Sequence, residues 1–161
     1  MILKPLRDAI QDHDPIRAII RGSGLNQDGR TPGITLPSGA SQETLMRHVY
    51  QVAGLDPCET DFVEAHGTGT QAGDHIETGA LAKVFCHNRS PMRPLRVGSI
   101  KTNVGHLEGT SGVAGVIKAV LMLENRTFLP NRNFRVVNPR IRCEDWRLKV
   151  KSSKPPIWCS H

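Results

Sequence analysis

The chain has 161 residues, of which 38% are hydrophobic and 22% are charged, and it carries a formal net charge of +6. This composition is typical of a folded, soluble protein and excludes a disordered chain. No apolar run approaches the roughly 18 residues that a membrane span requires, and residues 1–14 lack the apolar stretch of a secretory signal. We therefore expect one domain, or one half of a larger one, and not a multidomain enzyme.

The predicted elements alternate between helix and strand, which indicates an α/β fold with several neighbouring strands. Apolar residues at helical spacing predict the helices, and short β-branched runs predict the strands. In chain order we expect a helix at 3–11, a strand at Ile16–Ile20, a loop at Gly22–Gly39, a helix at Ser41–Ala53, a strand at Phe62–Ala65, a glycine-rich turn at His66–Gly73, a helix at Asp74–Cys86, a strand at Leu95–Ile100, a loop at Lys101–Gly109, a helix at Gly112–Glu124 and a strand at Leu148–Val150.

The last predicted helix, Gly112–Glu124, is apolar almost all round, and Lys118 is its only charge before the end. A helix on the surface of a protein has one polar face, which this helix lacks. It therefore needs cover on both sides, and a chain of this length offers few elements to supply it. We expect a second layer of protein against this helix, supplied by another copy of the chain in a two-fold homodimer.

Two predicted turns follow strands and place a histidine at the tip. His66 lies in FVEAHGTGTQAGDHIE, and His106 lies in VGSIKTNVGHLEGTSG. Loops at strand ends commonly build the sites of α/β folds. A lone histidine in such a turn is usually structural, whereas two of them with flanking glycine and threonine favour a site. Two converging imidazoles can polarise one carbonyl oxygen or move a proton near neutral pH.

The four cysteines, Cys58, Cys86, Cys143 and Cys159, are far apart and form no CxxC pair. This spacing indicates reduced thiols, so we expect a cytoplasmic protein without disulfides. A zinc site that used Cys86, His87 and another histidine would have a ligand spacing that matches no known pattern, and we expect no metal.

The positive charge is concentrated from residue 126 onward, in a loop-rich segment with nine lysines and arginines against two carboxylates. Such a segment is either an ordinary solvated surface or a docking surface for an acidic partner. We do not expect nucleic acid, because the segment has few aromatic residues and no nucleic-acid motif. The glycines after His66 also lack the spacing of the dinucleotide fingerprint.

Long segments of this sequence resemble β-ketoacyl synthase (ketosynthase) domains. EAHGTGTQAGDHIE and SIKTNVGHLEGTSGVAGVIKAVLMLE look like the two histidine motifs of that family. IRGSGLNQDGRTPGITLPS and FLPNRNFRVVNPRI are similar to the neighbouring segments of fungal reducing polyketide synthases. The resemblance extends from about Leu3 to Lys151, so residues 1–161 are identified as one domain similar to the C-terminal half of a ketosynthase.

The resemblance implies half of a thiolase-like fold, with a mixed sheet, helices on both faces and Gly112–Glu124 in the middle layer. The family's nucleophilic cysteine lies in the other half, within a Thr-Ala-Cys-Ser-Ser type motif that nothing in this sequence matches. We therefore expect a truncated, stand-alone protein that forms no acyl-enzyme. The family's Gly-Asp-Pro-Ile-Glu has His75 in place of proline, which we expect to cost helix stability because proline favours the first helical position.

The family's site residues carry over by motif position. The resemblance implies that His66 and His106 bind a malonyl thioester carbonyl and stabilise the enolate formed on decarboxylation. Lys101 and Glu108 match residues that support the histidines. The positions implied for the substrate and its phosphopantetheine arm are Gly67, Thr68, Thr70 and Asn103. Turn capping is an equally good interpretation of the two threonines.

Two classes of function follow. The first hypothesis is an enzyme of polyketide biosynthesis that uses its two histidines for decarboxylation, cyclisation or thioester release, and not for full condensation. No cofactor is expected beyond the phosphopantetheine that carries the substrate. The alternative is a non-catalytic accessory module that docks on an acidic acyl carrier protein or a synthase, or an inactive fragment of a larger polyketide synthase.

Overall fold

The structure, a computed structural model, describes residues 1–29, 31, 33 and 36–150. No helix of this described part is both long and apolar enough to cross a bilayer. The helices are α1 (Leu6–Gln11), α2 (Gly39–Ala53), α3 (Gln71–Phe85), α4 (Lys101–Val104) and α5 (Ser111–Glu124), the strands are β1 (Phe62–Glu64), β2 (Leu95–Gly98) and β3 (Leu148–Val150), and 3-10 turns lie at Pro57–Glu59 and Glu108–Thr110.

The three strands form one sheet in the order β1-β2-β3. Val63 of β1 lies opposite Val97 of β2, and Leu95 of β2 lies opposite Leu148 of β3. Because side chains alternate across a strand, these four residues share one face of the sheet. The resemblance leads us to expect a mixed sheet, whereas both strand pairs among the described residues are parallel.

The main core lies between this face of the sheet and α3. Leu81, Val84 and Phe85 of α3 are buried against the strand residues of that face. Helix α2 packs on α3 from outside, where the Tyr50 ring meets the Phe85 ring edge-on at a centroid distance of 5.2 Å. A serine cap begins α2, since the Ser41 amide donates to the Ser38 hydroxyl, and Gly54 ends it in the left-handed conformation.

Helix α5 lies on the opposite side of the sheet at β1, where Lys118 contacts Glu64 and the Phe62 ring. Its buried residues are Ser111, Gly115, Lys118 and Met122, which recur at the spacing of one helical face. Its other face carries five apolar residues that are 39% to 52% exposed: Val113, Val116, Ile117, Leu121 and Leu123. Helices therefore lie on both faces of the sheet, as expected, and α5 leaves one apolar face uncovered within the described chain.

The predicted strand at Ile16–Ile20 is wrong. These residues have no regular secondary structure, and Ile16, Ile19 and Ile20 are exposed. A β-branched run forms a strand only when a neighbouring strand pairs with its amides and carbonyls. The described chain provides no such neighbour for this segment, so its strand propensity is not used.

Helix α3 begins three residues earlier than predicted. Its cap is Thr70, whose hydroxyl accepts a hydrogen bond from the Gly73 amide, and not Asp74. The region predicted as a loop at Lys101–Gly109 contains α4 and the beginning of a 3-10 turn. Both differences occur in segments after strands, where glycine and threonine are typical of loops and the sequence pattern does not show where the helix begins.

Candidate functional site

The two predicted histidines lie against each other. The ring centroids of His66 and His106 are 5.6 Å apart, and the ring planes cross at 83°. Both residues are exposed. His66 follows β1 directly, whereas His106 lies between α4 and α5, so the fold brings together two turns that are forty residues apart in the sequence.

The backbone around His66 is held by a carboxylate of α3. The amides of His66 and Gly67 donate to the two carboxylate oxygens of Glu77, at 2.6 Å and 3.0 Å. The Ser99 hydroxyl, at the end of β2, donates to the His66 carbonyl oxygen. No ring nitrogen of His66 has a hydrogen-bond partner among the described residues, so the imidazole is available to a ligand.

The ring of His106 is fixed by its own turn. The Glu108 amide donates to Nδ1 of His106 at 3.0 Å, and the Ser111 hydroxyl lies 3.3 Å from the same atom. Because Nδ1 accepts the amide hydrogen, the neutral ring carries its proton on Nε2. That proton is the one His106 can donate to a ligand oxygen.

Gly67 makes the close approach of the two turns sterically tolerable. Its φ is +51°, a left-handed conformation, and a Cβ at this position would lie 2.9 Å from the Cβ of Ser99. A glycine is therefore required by both the backbone conformation and the packing. The sequence placed Gly67 among the substrate-binding positions, and the structure gives it this role in shaping the turn.

A buried ion pair lies behind His66, and the sequence analysis did not place it in the site. Lys118 Nζ of α5 is 2.6 Å from a carboxylate oxygen of Glu64, and the two side chains are only 4% and 14% exposed. The other Glu64 oxygen accepts a hydrogen bond from the Ile100 amide. The signal that could have found this pair is Lys118, since it is the one charge inside a helix that is otherwise apolar.

A cavity of ≈ 290 Å³ opens beside the first histidine. Its lining includes Glu64, His66, Lys101, Ser111 and Gly115. His106 does not line this cavity and joins the site through its ring contact with His66. A larger cavity of ≈ 580 Å³ adjoins Gly67 and Glu77 on the other side of the turn, and neither histidine lines it.

Lys101 and Glu108, the supporting residues implied by the resemblance, lie in different surroundings. Lys101 lines the smaller cavity together with His66 and forms no ion pair with any described carboxylate. The Glu108 side chain is exposed and has no hydrogen bond to either imidazole, and only its backbone amide contacts His106. The structure thus brings Lys101 to the cavity beside His66 but leaves the Glu108 carboxylate in solvent.

Of the polar residues implied for the pantetheine arm, one caps a helix and two keep polar atoms that a ligand could reach. Thr70 caps α3 with its hydroxyl, as the capping interpretation predicts. The Thr68 side chain is half-buried and has no hydrogen bond within the described part of the chain. Asn103 is exposed on α4, where its side-chain oxygen accepts from the Thr102 hydroxyl. Thr68 and Asn103 therefore keep polar atoms that a ligand could reach.

His75 is the fifth residue of α3 and not the first, so the expected loss of a favourable proline position does not apply. Its ring stacks on the Trp146 ring at a centroid distance of 5.5 Å and an angle of 26°. His75 therefore packs against the segment before β3, away from the histidine pair.

The described cysteines are poor nucleophiles. Cys58, Cys86 and Cys143 are free thiols, and burial raises the pKa of each. A raised pKa reduces the fraction of thiolate, the reactive form, at neutral pH. Among the residues that the structure describes, no cluster of three or more histidine, cysteine or acidic side chains could hold a metal ion. Cys159 lies outside the described residues.

Comparison with known proteins confirms the resemblance. The chain is 62% identical over 156 residues to a highly reducing polyketide synthase, phiA, of Fungal sp. (strain ATCC 74256), and 62% identical over 150 residues to another, tstA, of Talaromyces stipitatus. These alignments cover 97% and 93% of this chain but only 6% of each relative. The chain thus spans a small part of the proteins it matches.

The fold comparison agrees. A ketosynthase from module 6 of the bacillaene synthase of Bacillus subtilis 168 superimposes with a TM-score of 0.89 at 42% identity, over 98% of this chain and 28% of that one. This likeness confirms the predicted half of a thiolase-like α/β fold. The family model described as "Beta-ketoacyl synthase, C-terminal domain" matches residues 17–135. With a matching family model over most of its length and the fold of a ketosynthase, the chain belongs to the family of β-ketoacyl synthase C-terminal domains.

Proposed function

We propose that this chain acts in polyketide biosynthesis and that His66 and His106 bind one thioester oxygen and promote decarboxylation. The observation that carries the proposal is the contact between the two exposed rings, with His106 held in the tautomer that donates from Nε2. Two N–H donors converging on one oxygen stabilise the charge that develops there during the reaction.

The proposed substrate is a malonyl thioester on a phosphopantetheine arm. The bond between the carboxylate carbon and the α-carbon breaks, carbon dioxide leaves, and the electron pair forms an enolate whose oxygen accepts from His66 and His106. The α-carbon then takes a proton from solvent, and an acetyl thioester is released. This step needs neither a thiol nucleophile nor a redox partner.

The proposal is tested with the full chain, malonyl-pantetheine as substrate and the acetyl thioester measured by mass spectrometry. We expect His66→Ala and His106→Ala each to lower the rate by about 10²–10³-fold, the cost of removing one oxyanion donor. His48→Ala is the matched control, because His48 is an exposed histidine on α2 with no part in the site. Undiminished rates in both site variants would contradict the proposal and leave a non-catalytic part of a larger synthase.

The substrate is proposed to arrive on an acidic acyl carrier protein, which the basic segment after residue 125 favours. Arg132, Arg135 and Arg140 are all exposed there. Exposed charges are screened by salt, so binding to a carrier protein should weaken as salt rises from 0.05 to about 0.5 M. Binding that salt does not change would count against this docking surface. We propose the cytoplasm as the compartment of this reaction, because the described cysteines are free thiols.

A further inference from the structure

Burying the Glu64–Lys118 ion pair costs hydration free energy, which an apolar pair at these positions would not. Lys118 is 4% exposed and Glu64 is 14% exposed, so both charges have lost most of their water. Buried ion pairs of this kind are often no more stabilising than apolar side chains of similar volume. The pair therefore calls for a role other than stability.

The contacts of Glu64 link the segments that carry the two histidines. Glu64 is the last residue of β1, two positions before His66. One of its oxygens accepts from the Ile100 amide, at the beginning of the loop that leads to His106. The other oxygen binds Lys118 of α5. One carboxylate thus joins β1, the turn after β2 and α5.

Helix α5 extends this link to the second ring. Lys118 lies seven residues after Ser111, which is two helical turns along the same buried face. The Ser111 hydroxyl contacts Nδ1 of His106 and also accepts from the Leu107 amide. Sliding or rotation of α5 against β1 would therefore move His106 relative to His66.

Gly115 lies between these two contacts and lets Glu64 reach the helix. A Cβ at Gly115 would lie 3.2 Å from Cγ of Glu64, which is tighter than ordinary van der Waals contact. The space for the carboxylate is thus set by the absence of a side chain at this position.

We infer that Glu64 and Lys118 are positioning residues that fix α5 against β1 and thereby hold the His66 and His106 rings together. The inference rests on the proposed function for its catalytic consequence, since two donors act on one oxygen only at the right separation. A misplacement of about 1 Å can lower a rate by about 100-fold. The placement of the rings is a separate property that does not require turnover.

The test combines Glu64→Gln with Lys118→Met in the full chain. The glutamine oxygen still accepts the Ile100 amide, the methionine fills the lysine volume, and no buried charge remains. We expect unfolding in urea at a denaturant midpoint equal to or above that of the unaltered chain. We also expect loss of the nuclear Overhauser cross-peak between the His66 and His106 ring protons and a decarboxylation rate about 100-fold lower. The matched control is Glu43→Gln with Lys83→Met, a pair between α2 and α3 in which Lys83 is exposed and Glu43 is half-buried.

A cross-peak as intense as in this control would overturn the inference, because a purely structural pair predicts intact ring contact once stability is intact. If the double variant does not fold, Gly115→Ala decides the question, since it keeps both charges and displaces only Glu64. It should also lose the cross-peak, and an unchanged cross-peak would overturn the inference. A chain that keeps the cross-peak but decarboxylates nothing contradicts the proposed function alone, and the variant comparison still decides the positioning role.

Discussion

At the scale of single residues, hydrogen bonds from backbone amides to two carboxylates of α3 set the shape of the turn that carries His66. Glu77 accepts the His66 and Gly67 amides, and Asp74 accepts the Gly69 amide at 3.0 Å. Each carboxylate of α3 thus satisfies amides that the turn would otherwise leave unpaired. The result is a turn whose shape is set before any substrate binds.

A comparison of two glycines tests this description of the turn. Gly67 and Gly69 both have positive φ, but only a Cβ at Gly67 meets another atom within 4 Å. We expect Gly67→Ala to lower the free energy of unfolding by about 1–3 kcal/mol more than Gly69→Ala, the usual cost of overpacking. Urea denaturation measures both. Equal losses in the two variants would show that the approach of Gly67 to Ser99 is not required.

At the scale of secondary structure, sequence patterns predicted the helices and strands that neighbouring residues determine, but not the pairing between distant segments. The helix predicted at Ser41–Ala53 is present and begins two residues earlier, at Gly39, and the strand at Leu148–Val150 is present as predicted. Apolar spacing and end signals determine both. The strand at Ile16–Ile20 failed because pairing is not a local property. Lys118 stood out in the sequence, but its partner was missed for the same reason, since no pattern shows that Glu64, 54 positions away, will meet it.

The beginning of α3 gives a second test. Thr70 was assigned to the pantetheine arm or to a cap, and its hydroxyl now accepts the Gly73 amide. We expect Thr70→Ala to lower the free energy of unfolding by about 1 kcal/mol and Thr70→Ser to retain most of it, because serine is also a good cap. Thr68→Ala is the matched control, with a smaller loss. Full stability of Thr70→Ala in thermal or urea unfolding would refute the capping role.

At the scale of the whole molecule, one apolar surface stands out. The outer face of α5 exposes Val113, Ile117 and Leu121. Lys118, the one charge inside the helix, lies on the buried face and is paired with Glu64. Contiguous apolar surface of this kind is typical of an interface. An uncharged face can pair with an identical face without repulsion, so we propose a second copy of the chain as its cover.

This homodimer is tested by sedimentation velocity. We expect the unaltered chain to sediment as a dimer and Ile117→Glu to sediment as a monomer, because a buried carboxylate without a partner is costly. Lys83→Glu, an exposed change on α3, should leave the dimer intact. A monodisperse monomer of the unaltered chain at high concentration would exclude the interface.

The proposed function depends most on two imidazoles acting on one ligand oxygen. The direct measurement is a titration of the full chain with malonyl-pantetheine, followed through the ring carbon–hydrogen signals of its histidines by NMR. We predict that the signals of His66 and His106 move together with one binding curve, while that of His48 stays in place. A titration in which only one of the two rings responds, or neither does, would contradict the proposed function.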